Sequence, residues 1–138
     1  MTISVYRVTM PAGNIEESVQ FYRTILDLGG DRVSPGRHYF DCDGIIISIY
    51  DGAANGDTRA PRANEDFVYF AVDDVEAAHQ RAKAAGAVLD QTDMPGVGVL
   101  GEVVTRPWGE RSFYTRDPFG NPLCFTARET LFTSGSLN

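Results

Sequence analysis

The chain states one pattern twice, and this repetition limits its fold more than any single motif. The first half opens with a β-type run, Ile3–Met10, then a loop holding Pro11 and Gly13. Asn14 can cap a helix, with Glu17 three residues on to complete a capping box. Ile15, Val19, Tyr22 and Leu26 fall on one helical face, and Gly29 supplies the stop. The second half repeats this grammar. Val68, Phe70 and Val72 alternate within the run Asp66–Val72, Asp73 and Glu76 form the next capping box, Val75, Ala78, Ala82 and Ala85 make the apolar stripe, and Gly86 ends it. β-type runs follow each helix: around Asp31–Ser34, Arg37–Asp41 and Ile45–Tyr50 in the first half, and Ala87–Thr92, Gly101–Arg106, Arg111–Arg116 and Pro122–Arg128 in the second. Asp43-Gly44 reads as a hairpin turn. Met94–Leu100 is a Gly-rich excursion, and Asp51–Asn64 is expected to be an exposed, mobile connection. Two strand–helix–strands units make an α+β protein with helices on one sheet face.

The segment Pro107–Phe125, PWGERSFYTRDPFGNPLCF, sharpens this reading. Two β-type runs flank Asp117-Pro118-Phe119-Gly120-Asn121. Pro118 presets φ at the first corner of a turn, and Gly120 and Asn121 tolerate the positive φ that closes it. The order Pro-Trp-Gly, Arg-x-Phe, Asp-Pro-x-Gly-Asn resembles the C-terminal signature of the vicinal oxygen chelate superfamily, which contains glyoxalase, bleomycin-resistance proteins and extradiol dioxygenases. Asn-Ile-Glu-Glu-Ser-Val-Gln-Phe-Tyr near the N-terminus is similar to that family's Asp-Leu-Glu-x-Ser-x-x-Phe-Tyr. The resemblance implies two βαβββ modules forming a curved mixed sheet around a cleft, with helices on the outer face. It places a single domain over 1–128, with modules at about 1–52 and 65–128 and a flexible tail at 129–138. It also implies a homodimer, because the family cleft is often completed by a partner chain.

Composition narrows the function classes. The chain has 138 residues, a hydrophobic fraction of 43% and a charged fraction of 22%, enough for a proper core. No apolar run approaches the roughly 20 residues that span a bilayer, so no membrane partner is expected, and the N-terminus lacks a signal-peptide pattern. A cytoplasmic location is the expectation. The net charge of −7 argues against nucleic acid and mildly favours cationic ligands. Cys42 and Cys124 have no CxxC spacing, so neither a metal knuckle nor a disulfide framework is read.

The resemblance also assigns metal positions. Catalytic relatives hold a divalent ion through His, Gln or Glu on the concave sheet, where it acts as a Lewis acid or activates dioxygen. The first-strand position falls on Arg7, with Tyr6 and Val8 no better as ligands. The position ahead of Val72-Asp73-Asp74 falls on Phe67, and the one after the Gly-Asn of the last hairpin on Cys124. An arginine repels a cation, phenylalanine has no donor atom, and one thiolate is not a site. His38 and His79 are expected at exposed or core-edge positions. No metal and no cofactor are expected.

Alternation along the strands gives the cleft lining instead. Arg7, Tyr50, Phe67, Tyr69 and Cys124 are the candidates for ligand binding, with Trp108 at the rim, whereas Phe113 and Phe125 are assigned to the core. Arg7 pairs either with Glu102 or another acid, or with an anionic or carbonyl-bearing ligand. Arg111 is read as a structural tie. The leading expectation is a metal-free small-molecule binding protein, of the kind that sequesters an antibiotic or metabolite. The alternatives are a metal-dependent lyase, dioxygenase or thiol transferase with a displaced metal site recruiting Glu102 or His38, and a metal-free enzyme using Arg7 or Cys124 directly.

Overall fold

The structure is a computed structural model that describes residues 1–134. The end of the expected tail, 135–138, lies outside the described residues. The first module runs β1 (Arg7–Pro11), α1 (Ile15–Leu26), β2 (Asp31–Ser34), β3 (Arg37–Cys42) and β4 (Ile45–Tyr50). The second runs β5 (Val68–Val72), α2 (Val75–Ala84), β6 (Val88–Leu89), β7 (Asp93–Met94), β8 (Gly98–Val99), β9 (Val104–Thr105), β10 (Arg111–Arg116) and β11 (Pro122–Ala127). The sheet orders are β1-β4-β3-β2 and β5-β11-β10-β6, so the two modules share one topology. In each, the first strand pairs parallel to the last: Val8 lies opposite Ile47, and Val68 opposite Leu123.

The local signals hold with small shifts. Asn14 accepts from the Glu17 amide at 3.1 Å and starts α1. The helix ends at Asp27, whose φ of 54° is left-handed, two residues before the expected Gly29. A short polar side chain tolerates that conformation, and the Gly29 carbonyl instead accepts from Arg23 Nε at 3.0 Å. The α2 cap is Asp74, one residue later than Asp73, and it accepts from the Ala77 amide at 3.0 Å. Asp73 is thereby free to pair with Arg128. Asp43 and Gly44 both take positive φ, 54° and 96°, as a two-residue hairpin turn requires.

Strand lengths differ more. The first strand begins at Arg7 rather than Ile3, because β4 begins at Ile45 and offers no earlier partner; the last tie is Ile46 N to Tyr6 O. The long β runs expected near 87–92 and 101–106 shrink to two-residue strands. Both share one edge of β10, with β6 at Thr115–Arg116 and β9 at Arg111–Ser112. Between them the Leu100 carbonyl accepts from Tyr114 N. The Gly-rich excursion is a small hairpin of β7 and β8. The connection after β4 is anchored where it leaves the sheet: Asp51 is buried and its carboxylate accepts from the Ile15 and Ala54 amides, while Asn55 Oδ1 accepts from Gly36 N.

A single core spans both modules. Phe70, Phe125 and Phe113 stack in series at 5.0 and 5.3 Å, and Met10, Tyr22, Ile25, Phe40 and Ile49 are fully buried. Arg111 pairs with Glu76 and ties β10 to α2. The modules are joined at the last hairpin. Asp117 accepts from the Tyr22 hydroxyl at 2.6 Å, from Asn121 Nδ2 at 2.6 Å, and from the Phe119 and Asn121 amides. Asn121 Nδ2 also donates to the Pro11 carbonyl at 2.7 Å, and its Oδ1 accepts from Asn64 N at 2.8 Å. Burial and the neighbouring Asp117 hold the Tyr22 phenol well above its ordinary pKa, so it stays a donor. Tyr22→Phe removes one bond to a buried carboxylate and should cost about 2 kcal/mol. Urea melts should show a lower midpoint at an unchanged slope.

Candidate functional site

In each sheet, strand alternation sends one set of side chains to the helices and the other to the opposite face. On the first sheet that opposite face carries Arg7, Tyr39, Ser48 and Tyr50, and on the second Tyr69, Tyr114, Cys124 and Thr126. Ile47 and Ile49 point to the core and are 3% and 0% exposed, as expected for the set opposite Ser48 and Tyr50.

Arg7 is exposed and donates to the Tyr39 hydroxyl at 2.5 Å. Its guanidinium also lies 5.5 Å from the Tyr39 ring and 5.6 Å from the Tyr6 ring. No acid lies within ion-pair distance of it among the described residues, and Glu102 lends only its carbonyl, to Arg106. Tyr50 sits under Arg37, 4.7 Å from Cζ to the ring centre, and donates to Asp57. Arg59 grips the same carboxylate and, chiefly through those hydrogen bonds, holds it well below the usual range. Tyr50 is thus partly committed to structure.

The second-sheet residues form a contiguous patch. Phe67 meets Tyr114 edge-on at 5.1 Å and lies 6.3 Å from Tyr69. Cys124 pairs in register with Tyr114 on one side and Tyr69 on the other. Tyr69 is 62% exposed and Cys124 only 1%, so the tyrosine is the surface and the thiol the floor. Trp108 is 55% exposed and donates to Glu110 at 3.0 Å. Trp108 lies in the turn between β9 and β10 of the second sheet, and the Glu110 charge adds to burial in raising both Tyr69 and Cys124. The six candidates therefore fall into two groups, Arg7 with Tyr50 on one sheet and Phe67, Tyr69, Trp108 and Cys124 around the other. No hydrogen bond, ion pair or ring contact joins the two groups among the described residues.

Two residues were not legible as site elements. Tyr39 holds Arg7 and lies on a strand where alternation alone does not single it out. Arg106 is 2% exposed, yet no acid lies within ion-pair distance of it among the described residues. Its guanidinium donates to the carbonyls of Val97, Val99, Leu100, Glu102 and Ser112 and to the Ser112 hydroxyl, with Cζ 5.4 Å from the Tyr114 ring. It fastens the β7–β8 hairpin beside the second sheet's open face.

The residues at the metal positions do not fit a divalent ion. Arg7 is cationic and Phe67 has no donor atom. Burial pushes the Cys124 thiol up, against the thiolate a metal needs, although Thr126, Ser112 and Tyr114 offset part of this. Among the described residues no three His, Cys, Asp or Glu side chains cluster as a metal site. His38 is 1% exposed, deeper than expected: Nε2 donates to the Gly29 carbonyl at 3.0 Å and Nδ1 accepts from Arg32 Nε at 3.3 Å, so both nitrogens are in use. His79 is half-buried, with Nε2 on the Gly101 carbonyl at 2.9 Å.

The sequence profile of the Glyoxalase/Bleomycin resistance protein/Dioxygenase superfamily matches residues 4–125. The chain belongs to this superfamily. Solved structures with this fold include a glyoxalase-related enzyme from Fulvimarina pelagi, 18% identical over 90% of this chain and 87% of the other, with a TM-score of 0.70. A lactoylglutathione lyase from Agrobacterium tumefaciens is 20% identical over 90% of this chain and 92% of its own, with a TM-score of 0.65. Oxidase ChaP-H2 is 22% identical over 93% and 95%, with a TM-score of 0.69. No curated protein matches the chain. At these identities the likeness shows the shared fold. No helix of the described residues is long and apolar enough to cross a membrane.

The thiols give a direct check. Burial, and then the Asp41 charge, pushes Cys42 up to about 11, and burial raises Cys124. Iodoacetamide at neutral pH should label neither in the folded protein while labelling both in the urea-unfolded chain, read by peptide mass. The unfolded chain ionises its thiols first, so stability should fall as pH climbs from about 8.5.

Proposed function

We propose that the protein is a metal-free small-molecule binding protein of the bleomycin-resistance type. It takes a planar ligand, an antibiotic or a metabolite, that carries carboxylate or carbonyl oxygens. One observation carries the reading: Arg7, at the first metal position of the family, is exposed, has no acid within ion-pair distance among the described residues, and donates to the Tyr39 hydroxyl. A guanidinium there offers charge-assisted hydrogen bonds to the oxygens a metal would otherwise hold. Tyr69 and Trp108 supply exposed aromatic faces, and Phe67 backs them. The protein acts as a homodimer, in which the first-sheet face of one chain meets the second-sheet patch of the other and the two groups complete one cleft. The free β1 and β5 edges of a single chain favour such pairing. The lyase, dioxygenase and thiol-transferase alternatives need a displaced metal site, and His38, one residue that could supply it, already spends both nitrogens on structure.

Metal analysis of the purified protein is the first test. Stoichiometric zinc, nickel, manganese or iron would replace this reading with the metal-dependent one. Arg7→Met should then abolish binding of a carboxylate-bearing ligand found by fluorescence screening. The melting temperature should barely move, because an exposed arginine without an acid partner contributes less than about 1 kcal/mol. A large loss of stability without ligand would make Arg7 a structural residue. Trp108→Ala should weaken the same ligand and leave the melt unchanged.

A further inference from the structure

A recess opens between β1 and β5, mostly on the helix side of the sheets and away from Arg7. There the two modules part and leave a groove of about 530 Å³. Val8, Ile47, Val68 and Phe70 line its base, and Leu26 and Leu28 close one side. Leu28 is 39% exposed, so the groove carries apolar surface into solvent. Its size falls within the range of about 300–1,000 Å³ typical of small-molecule sites.

One charged side chain is built into the wall. Arg81 of α2 is half-buried, and its Nε donates to the Ile25 carbonyl at 3.2 Å, which fixes the guanidinium at the groove. No carboxylate lies within ion-pair distance of it among the described residues. Arg128, also in the lining, is engaged with Asp73 and with the Ala71 carbonyl but adds a second positive charge. The acids of the far wall, Asp41 and Asp43, are exposed, and Asp41 accepts from Gly44 N in the hairpin turn. The groove thus pairs a long apolar base with a cation that has lost water without gaining an anion.

We propose that this groove binds an apolar monocarboxylate, with its hydrocarbon body along Val8, Val68 and Phe70 and its carboxylate on the free Nη groups of Arg81. The planar fork of a guanidinium takes a carboxylate by two parallel hydrogen bonds, and partial desolvation strengthens them. Arg7 is outside the lining, since Val8 and Arg7 are successive residues of β1 and point to opposite sides of the sheet, whereas Tyr69 and Ala71 border the groove at the β5 edge.

Decanoate is the probe and decanol its uncharged comparison, titrated into the whole protein by calorimetry, with methyl NMR of Val8 and Val68 to locate the ligand. Decanoate should bind saturably and decanol about tenfold more weakly or worse, the loss of one charged contact. Arg81→Met should weaken decanoate by about tenfold, and Arg7→Met should leave it unchanged. Leu28→Asp, a rim substitution that should keep the wild-type melt, should also weaken it; should Arg81→Met fail to fold, this variant and the decanol comparison carry the test. Absence of saturable decanoate binding overturns the proposal, as does equal affinity for decanol. Binding lost in Arg7→Met but kept in Leu28→Asp also overturns it, since the acid would then sit on the open face; the metal-free reading would still stand.

Discussion

The buried carboxylate of Asp117 is the fixed point of this molecule. Among the described residues no cation lies within ion-pair distance of it; hydrogen-bond donors satisfy it, from a helix of the first module and from its own turn. Through Asn121 the same turn grips the end of β1 and the start of the second module. A buried anion without such donors would be costly, so the hairpin can close only when both modules are in place. Folding of the halves is coupled at this spot as well as through their shared core, and the groove that Arg81 overlooks lies between the two modules.

Much of the architecture could be read before the structure because its signals are local. Caps, apolar stripes and positive-φ turns at Asn14, Asp43-Gly44 and Asp117–Asn121 each fix a few residues by short-range sterics. What escaped was set by distant partners. Nothing in Ile3–Tyr6 says that β4 starts too late to pair with it. Nothing around 87–106 says that several short segments must share one edge of β10. Asp73 looked as good a cap as Asp74, and only the position of Arg128 separates them.

The candidate site divides along the same line. At the metal positions side-chain chemistry speaks without the fold, since arginine and phenylalanine are poor ligands wherever they stand. Which candidates reach solvent cannot be read that way. Cys124 and Tyr69 are neighbours on adjacent strands of one face, yet one is sealed and the other open: Cys124 stands on β11 between two strands, with Tyr114 beside it, and Tyr69 on the edge strand β5. The partner of Arg7 proved to be a phenol two strands away, a relation visible only after the register of β1, β4 and β3 is known.

Arg106 has a consequence for how such a protein diverges. Apart from the Ser112 hydroxyl, its bonds go to main-chain carbonyls, which every residue possesses. The clamp on the β7–β8 hairpin is therefore blind to what the hairpin's side chains are. Apart from Gly96 and Gly98, whose positive φ favours glycine, residues there can change in descendants without loosening the clamp, so the chemistry of this surface can vary while its position is held.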